Sequence, residues 1–395
     1  MCTYAPSSFG GLANIYKDKG VIGDKMTLGL STKNSKKWNF IALGLVLSLV
    51  GVLFFGEKLS ADDDLKNQCK KTLGKARLWV RATDAKAPEE EKVRVKKAVD
   101  VAKNACVAAY KALPDDGASA LNAAYAHFAA GRKEDGVALI QRAAELGYPP
   151  AMVMVAKYMG QGEYLEKDAE GAWLLLIKTL KTDHAAAKIS AALEFLPGGV
   201  GPENPKRTKK VLQGLINEGN SAAMISYAMK VLDLQKAEIG SDNSKKGITL
   251  LERAALEEKD SQAAIYLSLL FNQGNVVPRD QKKAITFAQL AIDAGVIRAY
   301  GTMGQIFQNQ NDMESAVQWF QKGAEKGDGF SQGMLGFMYS GGFGVEQDLE
   351  KAVHWWTKAR WNGDRLAASY LQVHRDKEAA EKAWEEEQKN NSKKN

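Results

Sequence analysis

The sequence predicts an all-α chain: a right-handed α-solenoid of helix-turn-helix repeats, preceded by one transmembrane helix and a helical hairpin. Three observations carry this. A small residue followed eight positions later by an aromatic one recurs along two thirds of the chain. An uncharged run of 18 residues stands near the amino terminus. Two cysteines sit symmetrically about a proline-marked turn.

The repeat is clearest at residues 331–364. Ser331, Leu335 and Tyr339 share one helical face, because residues four apart lie above one another. Gly341, Gly342 and Gly344 then break the helix, and Asp348 is placed to cap a second one carrying Ala352, Trp355, Trp356 and Ala359 inward. Aligned on the closing aromatic, Phe128, Tyr158, Phe195, Phe271 and Phe307 match Tyr339, with Val231 and His374 as departures. Eight positions earlier stand Ala120, Ala187, Ala223, Ala263, Ala299 and Ser331. Asp280, Ala284 and Gly295 return as Asp312, Ala316 and Gly327, then as Asp348, Ala352 and Gly363. The units end near Gly147, His184, Asn220, Asp260, Val296, Asp328 and Asp364, at intervals of 37, 36, 40, 36, 32 and 36 residues. Two short helices cannot bury both their faces alone, so each unit needs its neighbours, and the period is that of the tetratricopeptide class.

The pattern resembles the Sel-one-like repeat. Leu335, Gly336, Tyr339, Gly342, Gly344, Val345, Asp348, Lys351, Ala352, Trp355, Lys358 and Ala359 match its consensus. The resemblance covers residues 118–376. It is close at 297–364 and degenerate at 185–260, where Pro197, Pro202 and Pro205 distort a loop. It implies a binding scaffold and no single activity, since members of the family are mostly adaptors. Some members carry a cysteine pair in every repeat; no repeat here contains a cysteine.

Upstream, residues 1–37 hold six lysines against Asp18 and Asp24, a net +4 of the chain's +7, and read as a cytoplasmic disordered tail. Trp38 to Phe55 is the uncharged run. As a helix it is about 27 Å long, close to the hydrocarbon thickness of a bilayer. Lys33, Lys36 and Lys37 precede it and Asp62, Asp63 and Asp64 follow, which predicts a signal anchor with the amino terminus in the cytoplasm and the rest in the periplasm. A cleavable signal peptide is the rival, disfavoured by the long leader and the poor site at Leu59-Ser60-Ala61. Residues 62–113 read as a hairpin stalk turning near Ala87. Cys69 and Cys106 fall at the same height in it, so they either form a disulfide or remain two buried thiols. Residues 377–395 read as a charged capping helix and tail.

No catalytic, cofactor or metal constellation emerges. His127, His184, His354 and His374 are scattered, and the glycine runs at 198–201 and 341–344 neither follow strands nor carry a Lys-Ser/Thr pair. The basic balance lies mostly in the leader, so nucleic acid is not indicated, and no small-molecule substrate is evident. What remains is a surface for protein partners. First helices of this solenoid class line the concave side. There Lys157, Glu194 and Lys230, one before the aromatic, and Ser190, Ser226, Tyr266 and Thr302, five before it, would face outward as a peptide groove. Trp361 and Trp384 are further candidate anchors. The expected function is that of an inner-membrane scaffold in a secretion, pilus, motor or cell-wall assembly. The alternative is a regulator coupling a periplasmic partner to the cytoplasmic tail.

Overall fold

The structure is a computed structural model and describes residues 61–77, 79–80, 89–364, 366–375, 382 and 385–386. The expected tail 1–37, the apolar span 38–55, Trp384 and most of the carboxyl-terminal segment 377–395 lie outside the described residues. Among the described residues there is no strand, and no helix is long and apolar enough to cross a membrane.

The hairpin comprises α1 (61–77, continued by 79–80) and α2 (Glu89–Ala112). Acidic Glu89, Glu90 and Glu91 occupy the first turn of α2, where the helix dipole favours them. Cys69 and Cys106 are joined by a disulfide with their Cα atoms 4.6 Å apart. Around the bridge, Leu73 and Ala109 pack against Ala123 and Ala126 of the first repeat.

Helix pairs then follow in strict succession. The first helices are α3 (Gly117–Ala129), α5 (Pro149–Gln161), α7 (Ala185–Leu193), α9 (Ser221–Ser226), α11 (Ser261–Gln273), α13 (Arg298–Asn309) and α15 (Gly329–Gly341). Their partners are α4 (Lys133–Glu145), α6 (Ala169–Leu180), α8 (Pro205–Asn217), α10 (Asp242–Leu256), α12 (Gln281–Asp293), α14 (Met313–Glu325) and α16 (Leu349–Trp361). A last first helix, α17 (366–375), covers α16 through Ala367 and Leu371.

The repeat positions do the work their spacing implies. Ala120, Ala187, Ala223, Ala263, Ala299 and Ser331 are all buried. His184, Asn220, Asp260 and Asp328 cap first helices, each accepting from the backbone N–H three residues on, at Ala187, Ala223, Ala263 and Ser331. Asp364 does the same for Ala367. Asp280, Asp312 and Asp348 cap the second helices through the N–H groups of Lys283, Ser315 and Lys351. In these helices a cap fixes where the helix begins, and in the first helices the small residue three positions on lets the next helix approach closely.

Glycine is needed where that approach is closest. A Cβ on Gly336 would lie 2.5 Å from Cδ1 and Nε1 of Trp356, whose indole N–H donates to the Gly333 carbonyl at 3.2 Å. At Gly344 the backbone is left-handed (φ 69°), and a Cβ would meet the Met313 carbonyl oxygen of the previous second helix at 2.5 Å. The Gly-rich loop is thus both a turn and a contact between units. Buried polar side chains are likewise spent on stacking: Ser268 donates to the Ala284 carbonyl, Ser244 to that of Val276, and Gln332 to that of Ala324.

The degenerate unit departs from the regular helix expected there. α9 ends at Ser226, a π-helical turn covers Tyr227–Val231, and Asp233 takes a left-handed conformation (φ 45°) before a 3-10 turn at Leu234–Lys236. No aromatic occupies position 231, and the wider π turn instead brings Val231, Tyr227 and Met229 onto the core.

Candidate functional site

Three consecutive first helices, α3, α5 and α7, enclose an open groove of ≈ 450 Å³, bounded by Tyr125, Met154, Lys157, Ser190, Leu193 and Glu194. Each side chain is presented by the repeat itself. Met154 stands four before the closing Tyr158 and Lys157 one before it, while Ser190 and Glu194 stand five and one before Phe195. The Tyr125 hydroxyl donates to Met154 Sδ at 3.2 Å, which makes a continuous floor from α3 to α5. Burial pushes the Tyr125 phenol above its ordinary pKa, while the guanidinium of Arg77, 4.6 Å above the ring, pulls the other way.

Lys157 Nζ lies 3.0 Å from Glu194 Oε1, so these two residues, expected as separate outward charges, bridge α5 and α7 instead. Glu194 Oε2 also accepts from the Val200 N–H at 3.3 Å, tying down the loop that follows. An apolar floor beside an ion pair suits a side chain entering with part of its backbone. The pair supplies a donor and an acceptor that can be exchanged for those of a peptide.

The other expected contact residues are not gathered here. Lys230 is exposed on the π turn. Tyr266 is half-buried and packs against the core of the central repeats. Thr302, expected outward, is buried. Successive first helices lie side by side, so the flank of α13 facing its neighbours is covered, which a single-helix wheel does not reveal. Trp361 packs inside the chain: its ring is 5.1 Å from that of Trp79 in α1. Neither Tyr125 nor Met154 stands out in the sequence as a contact residue, because the floor forms only when α3 and α5 are set against each other.

Of the histidines, His184 is a helix cap, His354 is exposed against Trp355, and His127 is buried 3.3 Å from Asp135. Burial holds the His127 imidazole below its ordinary pKa, reinforced by Arg132 and opposed by Asp135. Among the described residues no three His, Cys, Asp or Glu side chains are grouped as a metal site.

The Sel1 repeat model matches residues 149–179, 261–296, 297–328 and 330–363. No curated protein sequence matches the chain. Among solved structures, a Sel1 repeat protein from Oxalobacter formigenes is 19% identical, with 75% of this chain and 93% of that one covered at a TM-score of 0.33. The protective antigen c5321 of uropathogenic Escherichia coli, described as displaying an SLR fold, is 17% identical over 75% of this chain and 79% of its own, with a TM-score of 0.39. Yeast Tom70 is 15% identical and covers 95% of this chain and 80% of its own at a TM-score of 0.50, a likeness of helical-repeat fold alone. Repeats of this kind generally mediate protein–protein interaction. The four matched segments coincide with the helix pairs α5–α6, α11–α12, α13–α14 and α15–α16, so these parts of the chain are similar to the Sel1 repeat.

Proposed function

We propose that this protein is an adaptor that holds a segment of a partner protein in the groove across α3, α5 and α7, displayed in the periplasm by the apolar span 38–55 as part of a cell-envelope assembly. The groove carries the reading: across three successive first helices, Tyr125, Met154 and Leu193 form a half-open floor beside the Lys157–Glu194 pair. Two observations support the location. The lysines before residue 38 favour a cytoplasmic amino terminus, and a Cys69–Cys106 bond is the chemistry of an oxidising compartment.

A photoreactive amino acid at Ser190, inside the groove, is compared in cells with one at Thr286, exposed on the second helix α12. A discrete crosslinked band from Ser190, absent at Thr286 and lost when Lys157→Glu sets two carboxylates against each other, is the expected result. Equal labelling from both positions would remove the groove from consideration. External protease on spheroplasts tests the location separately: it should digest the solenoid and spare the leader.

A further inference from the structure

A solenoid unit ordinarily touches only the units before and after it. Here the two ends of the array also touch each other. Arg360, in the last turn of α16, is 1% exposed, and its Nη2 lies 2.7 Å from Glu91 Oε2 in the first turn of α2. The next residue, Trp361, sets its ring 5.1 Å from that of Trp79 in α1, with the Arg94 guanidinium 5.8 Å from the Trp361 ring. Trp361 joins the small cluster of Ala76, Val95, Val99 and Ala102 at the tip of the hairpin. The last matched repeat is therefore fastened to the hairpin that precedes the first.

The fastening has the energetics of a joint that can open. An ion pair taken out of water gains little net free energy over its solvated state, because desolvating both ions offsets most of their attraction. Opening returns the Arg360 and Glu91 charges to water together, whereas removing one of them leaves the other buried and uncompensated. The apolar part of the joint involves few large side chains, chiefly Trp79 and Trp361. The central repeats, by contrast, share one apolar core that runs from Ile189 to Ile306.

The same hairpin reaches the groove. Arg77, two residues before Trp79 on α1, lies over the Tyr125 ring, and Tyr125 donates to Met154 on the groove floor. The geometry points to a latch: the contacts of Arg360 with Glu91 and Trp361 with Trp79 hold the solenoid closed, and their release withdraws Arg77 from Tyr125 and opens the groove floor. This rests on the reading of the groove as the partner site and adds to it a means of regulation.

Amide hydrogen exchange across residues 89–99 reports the latch, and the rate at which hydrogen peroxide oxidises Met154, followed by mass spectrometry, reports the groove. Arg360→Glu should speed exchange at the start of α2 by roughly tenfold or more, the range expected when one member of a buried pair is reversed. Met154 oxidation should rise several-fold in the same protein, and the double exchange Glu91→Arg with Arg360→Glu should restore both. Trp361→Ala, which leaves the charges intact, should open the latch in the same sense. Unchanged exchange at residues 89–99 in Arg360→Glu would overturn the latch. Faster exchange there with an unchanged Met154 rate would overturn its link to the groove, and so would a failure of the double exchange to restore Met154 protection. Neither measurement uses a partner, so a groove that captures nothing at Ser190 and a latch that does not move are separate failures.

Discussion

Replacing Gly336 by alanine tests whether the close approach of first to second helix is what makes this position glycine. In an open helix interior the change should stabilise by about 1 kcal/mol, since glycine costs more backbone entropy than any other residue. At Gly336 the added methyl would stand 2.5 Å from Cδ1 and Nε1 of Trp356, a rigid ring only 5% exposed. The ring cannot swing aside cheaply, because its N–H donates to Gly333 and its face stacks on Tyr370 at 5.2 Å. Overpacking a filled core costs about 1–3 kcal/mol, and losing the indole hydrogen bond adds about 1 kcal/mol. Subtracting the helix gain leaves a net loss of about 1–3 kcal/mol. Gly214 supplies the control: it lies inside α8, is exposed, and a Cβ there meets nothing within 4 Å. Gly214→Ala should therefore stabilise by about 0.5–1 kcal/mol. Urea unfolding followed by circular dichroism reads both, with hydrogen exchange over α15 and α16 locating the loss. If Gly336→Ala proved as stable as Gly214→Ala, the account of tight inter-helix packing would be wrong.

Removing the disulfide with Cys69→Ser and Cys106→Ser reopens a loop whose ends are 37 residues apart, worth about 2–4 kcal/mol of hairpin stability. The check is that a reductant lowers the melting temperature of the parent protein and leaves that of the double variant unchanged. The caps predict a pH dependence of two signs. The Lys351 backbone N–H holds the Asp348 carboxyl below its ordinary pKa, as the Ser315 side chain and N–H do for Asp312, so their stabilisation is present above the unfolded value and lost as pH falls through the folded one. Burial pushes Asp364 up despite the N–H groups of Ala367 and Leu366, so the folded chain favours its protonated form and the penalty it carries at neutral pH fades as pH falls. Melting curves between pH 3 and 7 should accordingly show Asp348→Asn less stable than the parent at pH 7. Asp364→Asn, which keeps a cap acceptor, should be neutral or more stable there, and the reverse order would contradict the assignment.

Much of the repeat was legible because its signals are local. Helix-face spacing marked Ala187, Ala263 and Ser331 as inward, and the unit ends read at His184, Asn220, Asp260, Asp328 and Asp364 proved to be the residues that cap the next first helix. A cap and the small residue it serves are three apart, so one short pattern records both where the helix starts and which side packs. The degenerate unit was recognisable as degenerate, but its π turn was not, since a change in hydrogen-bond period leaves no mark in apolar spacing.

The candidate site was harder to read for a reason common to all stacked folds: its side chains become neighbours only through the angle between units. Lys157 and Glu194 were found as residues facing away from their own repeat, which is correct for each repeat taken alone. Across the junction that direction points each at the other, so two apparent surface charges close a bridge at 3.0 Å. Trp361 shows the same effect at longer range. Its position lies beyond the inward pattern of its repeat, and an exposed tryptophan would ordinarily suggest a foreign partner. The partner in the structure is Trp79, which precedes every repeat, and the Arg360–Glu91 pair beside it requires the accumulated turn of the whole array. Outward residues of a solenoid are thus of two kinds, those that meet another unit and those left to solvent. Single-repeat periodicity cannot separate them, whereas the summed geometry of the stack does.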